Sequence, residues 1–201
     1  MELHLFRHGE TNWNKEGRAQ SHNGSKLTNL GINQAQIVRD KVQNIEFNCI
    51  YSSSSRRAKQ TAELIWPERV TEIIYSYSLR EIELGPWEGQ LYKDIKLTDP
   101  TSHKHFFSEP HLFSLKGAET FQNLTDRSVE FIHEIFHNNR AEVVAIVSHG
   151  AFLKALFTKL EQKGLSEIWE PPFMHNCAHN IIKFTKSGSA KIIQYADKTK
   201  W

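Results

Sequence analysis

Val143-Val144-Ala145-Ile146-Val147-Ser148-His149-Gly150 is a run of five apolar residues that ends abruptly in a hydroxyl, an imidazole and a glycine. A continuous Val/Ile-rich run, rather than an alternating one, predicts a strand buried on both faces of a parallel sheet. Working outward, Leu3 and Phe6 bracket a short strand, Cys49-Ile50-Tyr51 reads as a second, and Thr71 to Ile74 as a third. Between them, Ala35, Val38, Val42 and Ile45 recur at helical steps behind a Thr28 cap, and Ala58, Ala62 and Ile65 mark a helix that Pro67 stops. Phe121, Leu124, Phe131 and Ile135 mark a long helix, and another runs from Ala151 to about Leu160. Ile181 to Phe184 and Ile192 to Tyr195 form a hairpin around Ser187-Gly188. The order predicts an α/β three-layer sandwich with a mostly parallel central sheet, helices on both faces and right-handed crossovers.

The 201 residues fit one domain spanning 1–201, with the irregular stretch 91–116 read as a partly helical insertion that sets substrate specificity. At 39% hydrophobic and 24% charged residues, with 10 Gly and 6 Pro, the composition excludes collagen-like, low-complexity and wholly disordered chains. Lys+Arg 25 against Asp+Glu 23 leaves a net charge of +2, which speaks against a nucleic-acid partner. Cys49 and Cys177 form no disulfide framework or zinc spacing, so a reducing, cytoplasmic location is expected. The segment Met1 to Arg7 does not read as a secretory leader, and no apolar run suggests a membrane partner.

Ligands of open α/β sheets bind outside the carboxyl ends of the strands. Three strand ends are chemically loaded: Arg7-His8-Gly9-Glu10, Ser52 to Arg57, and Ser148-His149-Gly150. Guanidinium and imidazole groups converging without a carboxylate cluster suit a many-oxygened anion, and phosphate is the expected one. A neutral histidine is a competent nucleophile towards phosphorus, and neighbouring arginines both favour its neutral form and stabilise the transferred oxygens. Such a site calls for no metal and no cofactor. The leaving alkoxide needs a proton, for which the loop Leu79 to Gly89 offers Glu81, Glu83 and Glu88.

These residues stand in a recognisable order. Leu5 to Asn14, Tyr51-Ser52-Ser53 with Arg57 to Ala62, Leu79 to Gly89, Gly117-Ala118-Glu119-Thr120, Val147 to Gly150 and Asn176-Cys177-Ala178 together resemble the motifs of the histidine phosphatase superfamily, which includes cofactor-dependent phosphoglycerate mutases. The resemblance runs from Leu3 to about Phe184. It implies His8 as the phosphorylated nucleophile and Glu81 as the proton donor, with Arg7, Asn14, Arg57 and His149 on the phosphoryl group and Gln20 and Ser21 on the substrate side. Arg56 is then a decoy. Where many relatives carry Gly, Asp and Pro before Leu-Thr, this chain has Ser21, Gly24 and Lys26 before Leu27-Thr28, a departure that bears on substrate preference. The chain is short for a mutase.

The expectation is therefore a metal-independent phosphatase acting on a small phosphorylated metabolite. The alternatives are a phosphoglycerate mutase and a non-catalytic module that binds phospho-ligands. His103, His105 and His111 match no metal spacing and are read as surface residues, and Trp13 and Trp87 as packing.

Overall fold

The computed structural model describes residues 1–138, 142–185 and 187–199. Its strands are β1 (Glu2–Arg7), β2 (Cys49–Ser53), β3 (Ile74–Ser76), β4 (Val143–Ser148), β5 (His179–Phe184), β6 (Ala190–Tyr195) and β7 (Lys198–Thr199). Its α-helices are α1 (Asn12–Glu16), α2 (Asn29–Val42), α3 (Arg56–Ile65), α4 (Tyr92–Thr98), α5 (Pro100–Ser108), α6 (Phe121–Asn138) and α7 (Gly150–Leu160). Among the described residues the strands form one sheet in the order β3-β2-β4-β1-β5-β6-β7. β3, β2, β4 and β1 are parallel and make the core of the sheet, and β5, β6 and β7 extend it antiparallel beyond β1.

The two-residue period of the strands divides the interior. Leu3, Leu5, Val144 and Ile146 face one core, while Phe6, Ile50, Ala145 and Val147 face the other. α6 and α7 cover the first through residues such as Leu124, Ile132, Phe152 and Leu156. α2 and α3 cover the second through Ala35, Val38, Ala58 and Ala62. The result is the three-layer α/β sandwich that the apolar run at Val143 implied. No helix among the described residues is long and apolar enough to cross a membrane.

The local signals behave as their chemistry dictates. Thr28 caps α2, its hydroxyl accepting from Gly31 N–H at 3.0 Å, and α3 ends at Ile65, two residues before Pro67. The third strand lies further along than Thr71 to Ile74: Pro67 opens a 3-10 turn through Glu72, and pairing to β2 begins only at Ile74. The short polar β7 had no sequence signal. Stretch 91–116 is largely helical, and its Ile95, Phe106 and Phe113 are buried in the first core.

One close approach fixes the loop after β1. A Cβ on Gly31 would lie 2.1 Å from the Glu10 carbonyl oxygen, and one on Gly9 would lie 2.5 Å from the Gly31 carbonyl oxygen. Backbone therefore packs on backbone where α2 meets the loop that follows His8.

Candidate active site

β1 and β4 lie side by side in register, Arg7 opposite Ser148, so the residues that follow them meet. His8 N–H continues the ladder by donating to the Ser148 carbonyl at 3.0 Å. The His8 and His149 rings consequently stand 5.2 Å apart, both buried. Parallel pairing of β2 to β4 brings in the serine-rich segment, and His149 Nε2 lies 2.8 Å from Ser53 Oγ and 3.2 Å from Ser55 Oγ.

The protonation of His8 follows from its partners. Its Nδ1 lies 2.7 Å from the Gly9 carbonyl, an oxygen that can only accept, so Nδ1 carries the hydrogen. Its Nε2 accepts from Arg57 Nε at 3.1 Å and is therefore the bare nitrogen. Burial, and then the charges of Arg57 and Arg7, hold the His8 pKa well below the ordinary imidazole value. His149 is held well below it too, by burial first and then by Arg57 and His8.

Arg57 is 2% exposed and is clamped by its surroundings, its two terminal nitrogens each donating at 2.8 Å, to the Asn23 and Ser21 carbonyls. The loop supplying those carbonyls is itself held by Glu88, whose carboxylate accepts from Ser21 N–H at 3.0 Å and His22 N–H at 3.1 Å. Arg7 donates to the Met174 carbonyl at 2.6 Å. Arg7 Nε, Gln20 Nε2 and His149 Nδ1 are buried without a hydrogen-bond partner. Buried polar atoms without partners are costly to fold, and two of these three belong to Arg7 and Gln20, which line the same cavity as His8.

The carboxyl of Glu81 sits at the N-terminus of α7. Its Oε1 accepts from Phe152 N–H at 3.0 Å and Ile82 N–H at 3.0 Å, and its Oε2 from Ala151 N–H at 3.1 Å. Glu81 lines a cavity of about 310 Å³ together with Arg7, His8, Asn14 and Gln20. Glu83 is exposed and Glu88 is spent on the 21–22 loop, so neither reaches the position Glu81 holds.

Other sequence-derived residues fall in different places. Asn14 Oδ1 accepts from Thr11 N–H and Asn176 Nδ2, which leaves its amide nitrogen as the group it can offer. Ser21 does not line the cavity: its hydroxyl accepts from Leu84 N–H at 3.1 Å and its carbonyl steadies Arg57. Arg56 is exposed, and neither Trp13 nor Trp87 lines the cavity. His105 faces Glu109, His103 packs on Phe107, and no group of three potential metal ligands occurs among the described residues.

Sequence reasoning quoted Asn176 within a motif but gave it no role, and its Nδ2 bonds the His8 carbonyl at 3.2 Å; it read stretch 91–116 as the specificity region without singling out Tyr92, Phe106 or Phe107 of the cavity wall, and it missed Trp169. It also missed Lys154, which lines the cavity while almost fully buried; a lysine inside the apolar run Ala151 to Leu160 was its available signal.

The family model of the histidine phosphatase superfamily (branch 1) matches residues 3–197. The chain is 33% identical over 164 residues to the metal-independent phosphoserine phosphatase of Arabidopsis thaliana, covering 80% of this chain and 69% of that protein. It is also 33% identical over 181 residues to the probable 2-carboxy-D-arabinitol-1-phosphatase of the same plant; this covers 90% of the chain but only 37% of that longer relative. Among solved structures, Bacillus stearothermophilus YhfR superposes with a TM-score of 0.92 at 35% identity, covering 98% of this chain and 96% of that one. With the paired histidines, the clamped arginine and a family match along nearly its whole length, the chain belongs to the histidine phosphatase superfamily, branch 1.

Proposed function

We propose that the protein is a metal-independent phosphatase that hydrolyses a small phosphorylated metabolite through a phosphohistidine on His8. The observation that carries this reading is the tautomer of His8: Nδ1–H is tied to Gly9, and the bare Nε2 is buried beside Arg57, in a ring that also lines the cavity. A nitrogen kept neutral by its surroundings needs no activating base before attack.

In the first step the Nε2 lone pair forms a bond to phosphorus as the bond to the ester oxygen breaks, and Glu81 gives that oxygen its proton. Held by the Ser21 and Asn23 carbonyls, Arg57 exchanges its Nε–H bond to the His8 ring for one to a phosphoryl oxygen as it arrives, joined by Arg7 and His149, whose orphaned nitrogens gain partners. Asn14 adds an amide donor and Gln20 borders the substrate, while Ser21 acts through the Arg57 clamp. In the second step water attacks the phosphohistidine, Glu81 takes its proton, and the nitrogen leaves with its lone pair restored. Positive and neutral donors supply the charge stabilisation, so the chemistry requires no metal and no cofactor.

The test is phosphate release from an aryl phosphate with and without chelator, comparing wild type with His8→Ala, alongside an alkaline denaturing quench to trap the phosphoenzyme, whose N–P bond survives base and is lost in acid. Chelator-resistant release, with a phosphoenzyme absent from the variant, is the expected result. Isomerised phosphoglycerate outpacing free phosphate would make the protein a mutase. Tight binding of phosphoesters without turnover would make it a binding module.

A further inference from the structure

We propose that the preferred leaving group is an uncharged alcohol bearing a planar apolar ring, rather than an amino acid or hydroxy acid. This rests on the phosphatase reading and names its substrate class.

Besides Arg7, His8, Asn14, Gln20 and Glu81, the cavity is lined by an apolar and aromatic set that includes Ile82, Leu84, Tyr92, Phe106, Phe107 and Trp169. The rings interlock: Phe106 lies 5.6 Å from Trp169 and 5.0 Å from Phe107, and Tyr92 lies 5.1 Å from Phe107, centroid to centroid. Trp169 spends its one polar group on the Phe106 carbonyl. Burial raises the Tyr92 pKa, so its phenol stays neutral. At the mouth, Phe107 is 41% and Phe173 is 78% exposed, apolar surface beside a cavity that a ligand would cover.

Two cations border the same space, and both are engaged by the chain. Lys154 Nζ donates to the Glu170 carbonyl at 2.5 Å and lies 3.4 Å from the Pro172 carbonyl. Arg18 pairs with Glu16 and donates to the Gly89 carbonyl at 2.9 Å. A carboxylate placed there would lose water, meet aromatic rings, and compete with bonds already made. A ring would lose nothing and gain offset or edge-on contacts. At about 310 Å³ the cavity is at the lower end for small-molecule sites, the size for a phosphate and one compact ring system.

The experiment compares kcat/KM for phenethyl phosphate, ethyl phosphate and phosphoserine. All three are primary alkyl esters, so leaving-group chemistry is close to constant. Phenethyl phosphate is expected to exceed both others by about tenfold or more. Phe107→Ala and Phe173→Ala, at exposed positions where folding is safe, should each shrink the phenethyl-to-ethyl ratio within one protein preparation. Phosphoserine equal to or better than phenethyl phosphate overturns the proposal while leaving the phosphatase reading intact, as does a ratio unmoved by both variants. No phosphate from any of the three, with the aryl phosphate still hydrolysed, overturns this proposal alone; no phosphate from the aryl ester either overturns both.

Discussion

Acidification from about pH 7.5 to about pH 4.5 should destabilise this protein through a histidine pair outside the cavity. His4 Nε2 lies 2.9 Å from Glu2 Oε1, and His4 Nδ1 lies 2.9 Å from His179 Nε2. The carboxylate accepts, so His4 is protonated on Nε2, its Nδ1 is an acceptor, and His179 Nε2–H donates. A second proton on the pair would place two positive rings in contact inside the fold. Burial, and then His4, hold His179 at about 4 against an ordinary 6.5. Below pH 6.5 the unfolded chain therefore takes up a proton that the folded chain refuses until about pH 4, and stability falls as the pH falls through that window. At about pH 4.5 the difference amounts to about 2 to 3 kcal/mol. The assay is urea unfolding followed by tryptophan fluorescence across the pH range, for wild type and for His179→Phe, which keeps a ring against Phe6, now 4.4 Å away. The variant starts less stable because His4 Nδ1 loses its donor, but its loss across the window should be smaller by that amount. Parallel losses in the two proteins would refute the reasoning.

Because His8 is held neutral well below the usual imidazole range, kcat/KM, with substrate ionisation divided out, should show no acid limb near pH 6.5; a limb there would show an ordinary imidazole. Glu81→Gln should slow esters of poor leaving groups far more than aryl esters, and equal slowing of the two would remove Glu81 from the role of acid. Gly31→Ala drives a methyl group to 2.1 Å from backbone and should cost about 1 to 3 kcal/mol, read as a lowered Tm; an unchanged Tm would show that the α2 contact yields freely.

The parts of this fold legible in the sequence were those set by local chemistry. The run at Val143, the helical steps from Ala35 to Val42 and the Thr28 cap each carry their own signal and stand where the pattern placed them, whereas Ile45, read as part of the same stripe, lies beyond the end of the helix at Val42. β3 was misplaced at Thr71 to Ile74, because Pro67 opens a 3-10 turn that runs through Glu72 before the strand begins. The strand ends carrying His8, Arg57 and His149 were legible from topology alone. The choice among Glu81, Glu83 and Glu88 was not, because it depends on the helix N-terminus of α7 arriving from far along the chain. The aromatic wall was hidden for the same reason: Tyr92, Phe106 and Trp169 belong to separate segments and share no spacing. Ser21 shows the opposite limit: read as a substrate-side residue, it turns its hydroxyl to Leu84 and its carbonyl to Arg57.

The position of β1 in the ladder has a kinetic consequence. The strand that delivers Arg7 and His8 pairs on one side with β4 and on the other with β5, so both of its neighbours come from the distant part of the chain. Contacts of such long sequence separation close slowly, because much chain entropy is lost before any ladder bond forms. An N-terminal fragment would hold His8 and Arg57 yet lack the β4 and β5 neighbours that align β1. Recovery of activity on refolding should thus lag behind helix formation and coincide with closure of the sheet's centre.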